Sequence, residues 1–355
     1  MRVECSGRME MLNLLKSDPD LWRLFTKAEE YAPRTLDRYQ RFPYSFSRHR
    51  SVLRPWVSEF LVHKGLRVQL PYERRFAVCL THDIDIVYFS LLMSALEALR
   101  ALREGRVSKS MKILLGRAIK RLNPLWNFST IMSMEEKYGA KSTFYLLSLK
   151  PSDLEFNYLV GDLTHEVSTI IDKGGEIGLH VGPDAWNDLN AIAEQKASLE
   201  KVVGKRLVGC RIHRLKFEVP MTWGLLQRAG FSYDATFGYA DCAGFRNGMC
   251  HPFKPFNLQT GMPIDILEVP LNVADYILDW RMQLDPAGAW DITRQLIDAV
   301  EKCRGILTIL WHNNTYMIDD KSRLYEKILK YCHEKKAWMT SGEDIWKWWE
   351  KQGYS

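Results

Sequence analysis

From residue 76 onward, short apolar runs alternate with stretches whose apolar positions recur at helical spacing. The runs are FAVCLTHD (76–83), KSTFYLL (141–147), GEIGLH (175–180), LVGCRIH (207–213), SYDATFG (232–238), DILEVPL (265–271), GILTILWH (305–312) and AWMTS (337–341). Helices are predicted between them near 128–139, 163–173, 187–203, 221–229, 288–303, 321–334 and 343–351. The last opens with Thr340-x-x-Glu343, a capping-box pattern. Strands that are apolar almost throughout, separated by helices, predict a parallel sheet covered on both faces. The repeat of such units predicts an α/β fold, a distorted (β/α) barrel with about seven parallel strands. Residues 1–75 break the pattern. A helix over Met9–Glu30 and a basic, Pro- and aromatic-containing stretch through Tyr72 predict a small, mainly helical N-terminal subdomain packed on a barrel spanning 76–355.

Composition narrows the class. With 355 residues, 46% hydrophobic and 12% aromatic, the chain can bury a large core and is not disordered. A net charge of +6, from 49 basic and 43 acidic residues, permits an anionic substrate or surface; with no recognisable motif beside it, it does not argue for nucleic acid. Glu4, Arg8 and Glu10 interrupt the apolar run a signal peptide needs. The most apolar stretch, Tyr88–Leu96, stops at Glu97, short of the roughly 18 residues that span a bilayer. Seven Cys without a C-x-x-C pair lead us to expect a reduced, cytoplasmic protein with no disulfide framework and no zinc finger. One segment stands apart: Arg100–Arg121 holds eight Lys/Arg against Glu104 alone, with Met111, Ile113, Leu114, Leu115, Ala118 and Ile119 at roughly helical spacing. It suits a solvated helix face or a peripheral contact with an anionic membrane.

In a parallel barrel, catalytic groups gather at the C-terminal ends of strands. The first run ends in Thr81-His82-Asp83-Ile84-Asp85, and alternation puts Thr81, Asp83 and Asp85 on one face with His82 opposite. Two carboxylates at this spacing can divide labour, one ligating a metal and one taking a proton. The third run ends in His180 with Asp184 four residues on, the fourth in Arg211-Ile212-His213, and the seventh in Trp311-His312-Asn313-Asn314. Any one of these could be a hydrogen-bonded structural residue. A purely structural barrel has no need of all four.

The ordered set T-H-D-x-D, G-x-E-I-G-L-H, R-x-H and L-x-H resembles the polysaccharide deacetylases, the NodB-homology group of carbohydrate esterase family four, over about residues 76–345. The resemblance implies a distorted barrel that hydrolyses N-acetyl groups on sugars with one divalent metal, zinc first, with cobalt, nickel and manganese as alternatives. By position, Asp83 resembles the general base, Asp85 the metal-binding Asp, His180 the first metal His, Arg211 the Arg that holds the base, and His312 the general acid. Asp275 matches the Asp that orients that His, with Asp279-Trp280 nearby as a second register. The chain departs from the family where Asp184 stands in place of the second metal His. His213 stands where the family commonly has Pro, so the third ligand is open between Asp184 and His213. In the Gly- and aromatic-rich loop after the fifth run, Tyr239 and Arg246 are candidate substrate contacts, together with Trp311 and Asn313. The implied partner is an acetylated sugar or glycan, nucleotide- or lipid-linked, in cell-surface polysaccharide or glycoconjugate biosynthesis. A non-catalytic glycan-binding barrel, and a hydrolase of another amide or ureide C–N bond, are the alternatives the residues leave open.

Overall fold

The computed structural model describes residues 8–116 and 119–353. Strands β1 (Ala77–Ile84), β2 (Thr143–Leu147), β3 (Glu176–Val181), β4 (Gly209–Ile212) and β5 (Tyr233–Asp234) lie side by side, all parallel. An antiparallel hairpin, β6 (Phe256–Asn257) and β7 (Met262–Pro263), stands apart. The sheet continues with β8 (Leu267–Glu268) beside β5, while β9 (Leu271–Ala274) lies beside β10 (Ile306–Leu310), and β10 beside β1. The predicted run 265–271 is therefore part of one longer segment, broken at Val269–Pro270, where proline has no N–H for a ladder. Because its first half pairs at one end of the sheet and its second half at the other, this segment links the two ends of a curled, barrel-like sheet. Finally β11 (Trp338–Thr340) pairs with Ala77–Cys79 of β1, the part that precedes the β2 pairing at Thr81.

Helices α1 (Arg8–Lys16), α2 (Pro19–Thr26) and α3 (Trp56–His63) precede the sheet. The expected single helix over Met9–Glu30 is broken because Pro19 starts a new one: Asp18 accepts from the N–H groups of Asp20 and Leu21 as its N-cap. Leu12, Leu15, Phe25, Val57 and Leu61 belong to the same continuous core as the barrel strands. Helices α4 (Leu91–Arg103) and α5 (Val107–Leu115) follow β1. The crossover helices are α6 (Phe128–Glu136), α7 (Thr164–Asp172), α8 (Leu189–Val203), α9 (Met221–Arg228), α10 (Pro286–Cys303) and α11 (Asp319–Glu334), and α12 (Gly342–Lys351) follows the last strand. The cap of α12 lies one residue later than predicted. Ser341 Oγ accepts from the Asp344 N–H, and Thr340 Oγ1 donates to the Asp344 carboxylate.

Every residue of β1 through β4 is buried, as the near-continuous apolar runs require. Register then decides the site. Leu147, His180 and Arg211 are level across β2, β3 and β4, and Thr81 is level with Leu310. The C-terminal ends of the strands thus meet on one side of the molecule. No described helix is long and apolar enough to cross a membrane.

Candidate active site

Alternation along β1 sends Thr81 and Asp83 into the barrel and His82 out, where it hydrogen-bonds the Trp311 carbonyl and Glu135. Arg211 is fully buried: Nη1 donates to Asp83 Oδ1 (2.9 Å) and Thr81 Oγ1 (2.7 Å), Nε donates to the Ala235 carbonyl, and the guanidinium lies over Tyr145. Burial opposes the Arg211 charge, but the Asp83 carboxylate outweighs it and raises the Arg211 pKa further. Asp83 Oδ2 stays turned towards His180 Nε2, 3.5 Å away.

Three groups converge beside this pair. His180 Nδ1–H donates to the Arg211 carbonyl (3.0 Å), which leaves Nε2 with its lone pair facing inward. His213 Nε2–H donates to Glu155 Oε2 (2.6 Å), which likewise turns the lone pair of Nδ1 inward. The two inward nitrogens are 3.0 Å apart, and Asp85 Oδ1 lies 3.2 Å from the first and 3.5 Å from the second. Asp85 Oδ1 is buried and takes no hydrogen bond among the described residues. Two lone pairs and a carboxylate oxygen repel at this range unless a positive charge lies among them, either a proton on His213 Nδ1 or a metal ion. Asp85, His180 and His213 thus fit a divalent metal with N and O ligands. Burial opposes the charged forms of Asp85 and His213. Even so, His213 is pushed up to about 9 by Asp85 and Glu155, and the surrounding histidines hold Asp85 well below the usual carboxylate range.

Across the cluster stands His312. Its backbone N–H and Nδ1–H both go to the buried Asp275 (2.8 and 2.7 Å), whose Oδ2 also accepts from Thr315. Its Nε2 points into the site, 3.6 Å from Asp85 Oδ2. Burial favours the neutral ring, yet Asp275, Asp85 and Asp83 together push His312 up to about 10. A solvent-open cavity of about 740 Å³ reaches Asp83, Asp85, His180, His213 and His312, with Tyr39, Arg41, Tyr276, Trp280 and Arg281 in its wall.

The structure thus brings together Asp83, Asp85, His180, Arg211, His213, Asp275 and His312. Asp184 is not among them. It is exposed in a separate surface groove with Lys150 and Lys201, because His180 lies within a strand and the chain turns away at Gly182-Pro183; four residues there do not form one helical face. Asp279 is taken by Lys321, so Asp275 is the partner of His312. Four expected substrate contacts lie outside the cavity lining. Tyr239 accepts from the buried Lys27, and Arg246 forms a buried ion pair with Glu30, so the loop that carries them is engaged in holding the N-terminal segment. Trp311 alternates away from His312 and packs on Tyr325, and Asn313 donates to the Ile86 and Leu125 carbonyls.

Sequence reasoning missed Glu155, which orients His213 and also pairs with Arg214. Positive φ at Glu155 (64°), Arg214 (59°) and Leu215 (52°) marks strained backbone around this contact. Tyr39 and Arg41 of the N-terminal segment were also missed. Arg41 donates to the Arg214 carbonyl and pairs with Asp37, which ties that segment to the cavity wall.

No family model matches the chain, and no curated protein does either. Solved structures do. A chain described as a polysaccharide deacetylase from Mycobacterium smegmatis superposes with a TM-score of 0.56 at 20% identity, over 81% of this chain and 94% of its own. Another so described, from Pseudomonas aeruginosa PAO1, gives 0.55 at 14% identity, over 83% and 98%. The chain therefore carries the polysaccharide deacetylase fold.

Proposed function

We propose that the chain is a metal-dependent hydrolase of the polysaccharide deacetylase family that removes an N-acetyl or similar acyl group from a sugar or glycan. One observation carries the reading: Asp85, His180 and His213 converge as ligands between an arginine-held carboxylate, Asp83, and an aspartate-held histidine, His312.

Asp85, His180 and His213 would hold the ion, zinc first for a mixed N/O set. When bound, it would supply Lewis acidity towards an acyl oxygen and lower the pKa of a water to about 7. The residues around it divide the proton work. Arg211 fixes one oxygen of Asp83 by hydrogen bond, so the other is free to take a proton from the attacking water. Asp275 holds His312 in one tautomer and favours its charged form, so Nε2–H can donate to the departing amine. Without that proton the amine would have to leave as an anion. Asp83 lies beside His180 and His312 beside Asp85, so base and acid both border the ligand cluster over which a carbonyl would be placed.

The test has two parts. Metal content by mass spectrometry is measured on the purified protein beside Asp85→Asn and His180→Ala. Acetate release is measured on N-acetylated hexosamine oligomers and nucleotide-linked N-acetyl sugars with zinc, cobalt, nickel or manganese. About one equivalent of metal, lost in both variants, together with metal-dependent acetate release, is the expected result. A chain that takes up none of the four ions is not this enzyme.

A further inference from the structure

The segment between β1 and β2 folds as a helical hairpin, α4 and α5, with a small core of its own. Ser94, Ala98 and Ala101 of α4 meet Ser110 and Ile113 of α5 along a buried seam. The remaining large apolar residues face outward. Leu92, Leu96 and Leu99 are 70%, 52% and 47% exposed, and Val107, Met111 and Leu114 are 57%, 56% and 57% exposed. Each set has i, i+4, i+7 spacing and forms a stripe along its helix. Both therefore lie on the outer surface of the hairpin, the α4 stripe nearly opposite the seam and the α5 stripe about a quarter-turn from it. Singly scattered exposed leucines need no explanation, but two such stripes do.

Charge borders the stripes. Residues 91–116 carry five basic side chains (Arg100, Arg103, Arg106, Lys109, Lys112) against Glu97 and Glu104. Arg103 and Lys112 are exposed and have no ion-pair partner among the described residues. Ala118, the remaining apolar position of the basic stretch, lies outside the described residues. The hairpin is also tied to the active-site end of the barrel. Lys109 donates to the Met317 carbonyl and Arg106 pairs with Asp319, on either side of the exposed Ile318. Further along, Lys321 pairs with Asp279, next to the exposed Trp280 of the cavity wall.

We propose that this hairpin is a membrane-interface element. Its apolar stripes enter the headgroup region of an anionic phospholipid bilayer, and Arg100, Arg103 and Lys112 meet the lipid phosphates, with Trp280 and the cavity mouth held at the bilayer surface. Apolar stripes flanked by cations match an anionic interface and suit neither water nor a neutral apolar partner. The proposal concerns the surface alone and does not depend on the reading of the site.

Co-sedimentation with vesicles of phosphatidylcholine containing phosphatidylglycerol tests it on the whole protein. The parent chain is compared with the triple variants Leu92→Ser/Leu96→Ser/Leu99→Ser and Arg100→Gln/Arg103→Gln/Lys112→Gln, each checked for fold by circular dichroism. The parent is expected to sediment with these vesicles, less so as salt rises or phosphatidylglycerol is left out, and each triple variant to bind at least tenfold more weakly. A parent chain that stays in the supernatant overturns the proposal, as do variants that bind like the parent. A parent that is dimeric by light scattering and becomes monomeric in the leucine variant also overturns it, since the face then belongs to a second copy.

Discussion

Removing the carboxylate of Glu155 should weaken metal binding although Glu155 is not itself a ligand. Its Oε2 accepts from His213 Nε2–H at 2.6 Å and so decides which ring nitrogen faces Asp85 and His180. A hydrogen bond to a charged group contributes about 1.5–3 kcal/mol. Loss of a partner that orients a ligating histidine costs about 10–100-fold in metal affinity, about 1.4–2.7 kcal/mol. The two ranges agree, and the variants divide them. Glu155→Gln keeps an acceptor oxygen but loses the charge, so about a tenfold loss is expected. Glu155→Ala loses both and should fall about a hundredfold. His213→Ala removes a ligand and should fall further, while Asp184→Ala, in its separate groove, should match the parent. Zinc affinity is read by competition with a chromophoric chelator at neutral pH, with circular dichroism as the control for folding. Parent-like affinity in Glu155→Ala would refute the orientation argument. A loss in Asp184→Ala equal to that in His213→Ala would refute the ligand assignment.

The other predictions concern chemistry and stability. Asp83→Asn should lower kcat roughly 10²–10⁴-fold, the usual worth of one acid–base group, with metal content unchanged; near-normal turnover in an acetate-release assay would remove Asp83 as the base. Replacing Arg211 with Met leaves Asp83 charged and buried without its partner, so unfolding in urea should show a loss of about 3–5 kcal/mol. Glu176 is buried, and that burial pushes its carboxyl up to about 7 against the hydrogen bonds it accepts from Thr143, Tyr233 and the Glu343 N–H. The folded state therefore binds the proton more tightly than the unfolded state does. This contribution is complete below pH 4.5 and is lost as pH rises through about 7, by roughly 3 kcal/mol at 1.36 kcal/mol per pKa unit. Glu176→Gln should flatten that part of the stability–pH curve, and an unchanged slope would place the dependence elsewhere.

The sequence made the strands and the inward face of β1 legible because a buried parallel strand is apolar almost throughout, and its polar residues then stand out at its end. Thr81, Asp83, His180, Arg211 and His312 were readable for that reason. Two kinds of feature were not. The third ligand turned on whether Asp184 continues a helix or follows a strand, and spacing alone does not separate these at Gly182-Pro183. Glu155 lies in an irregular loop after β2, where no periodicity singles out one acid among several. The loop with Tyr239 and Arg246 misled because its polar groups are matched by Lys27 and Glu30, more than 200 residues earlier, and a local pattern carries no trace of so distant a partner. The helix over Met9–Glu30 was misread for a simpler reason: Asp18-Pro19 carries both a cap and a stop within an apolar pattern that continues across it.

The segment 267–274 explains how the acid pair is brought beside the base. β1 and β4 deliver Asp83, Asp85, Arg211 and His213, with β2 and β3 between them. The acid pair comes from β9 and β10, on the other flank of β1 from β2, and it does so because the chain breaks at Pro270. With that break, Leu267–Glu268 completes the edge beside β5, while Leu271–Ala274 crosses to β10 and ends one residue before Asp275. β10 ends two residues before His312, so Asp275 and His312 leave neighbouring parallel strands together and meet at 2.7 Å. Asp85 lies between the two halves, one oxygen 3.2 Å from His180 and the other 3.6 Å from His312. Its negative charge therefore bears on both sides, as a candidate ligand beside the histidine pair and as a field that favours a proton on His312. On this geometry Asp85→Asn would change the proton affinity of the acid as well as the ligand set, whereas Asp275→Asn should change the acid alone.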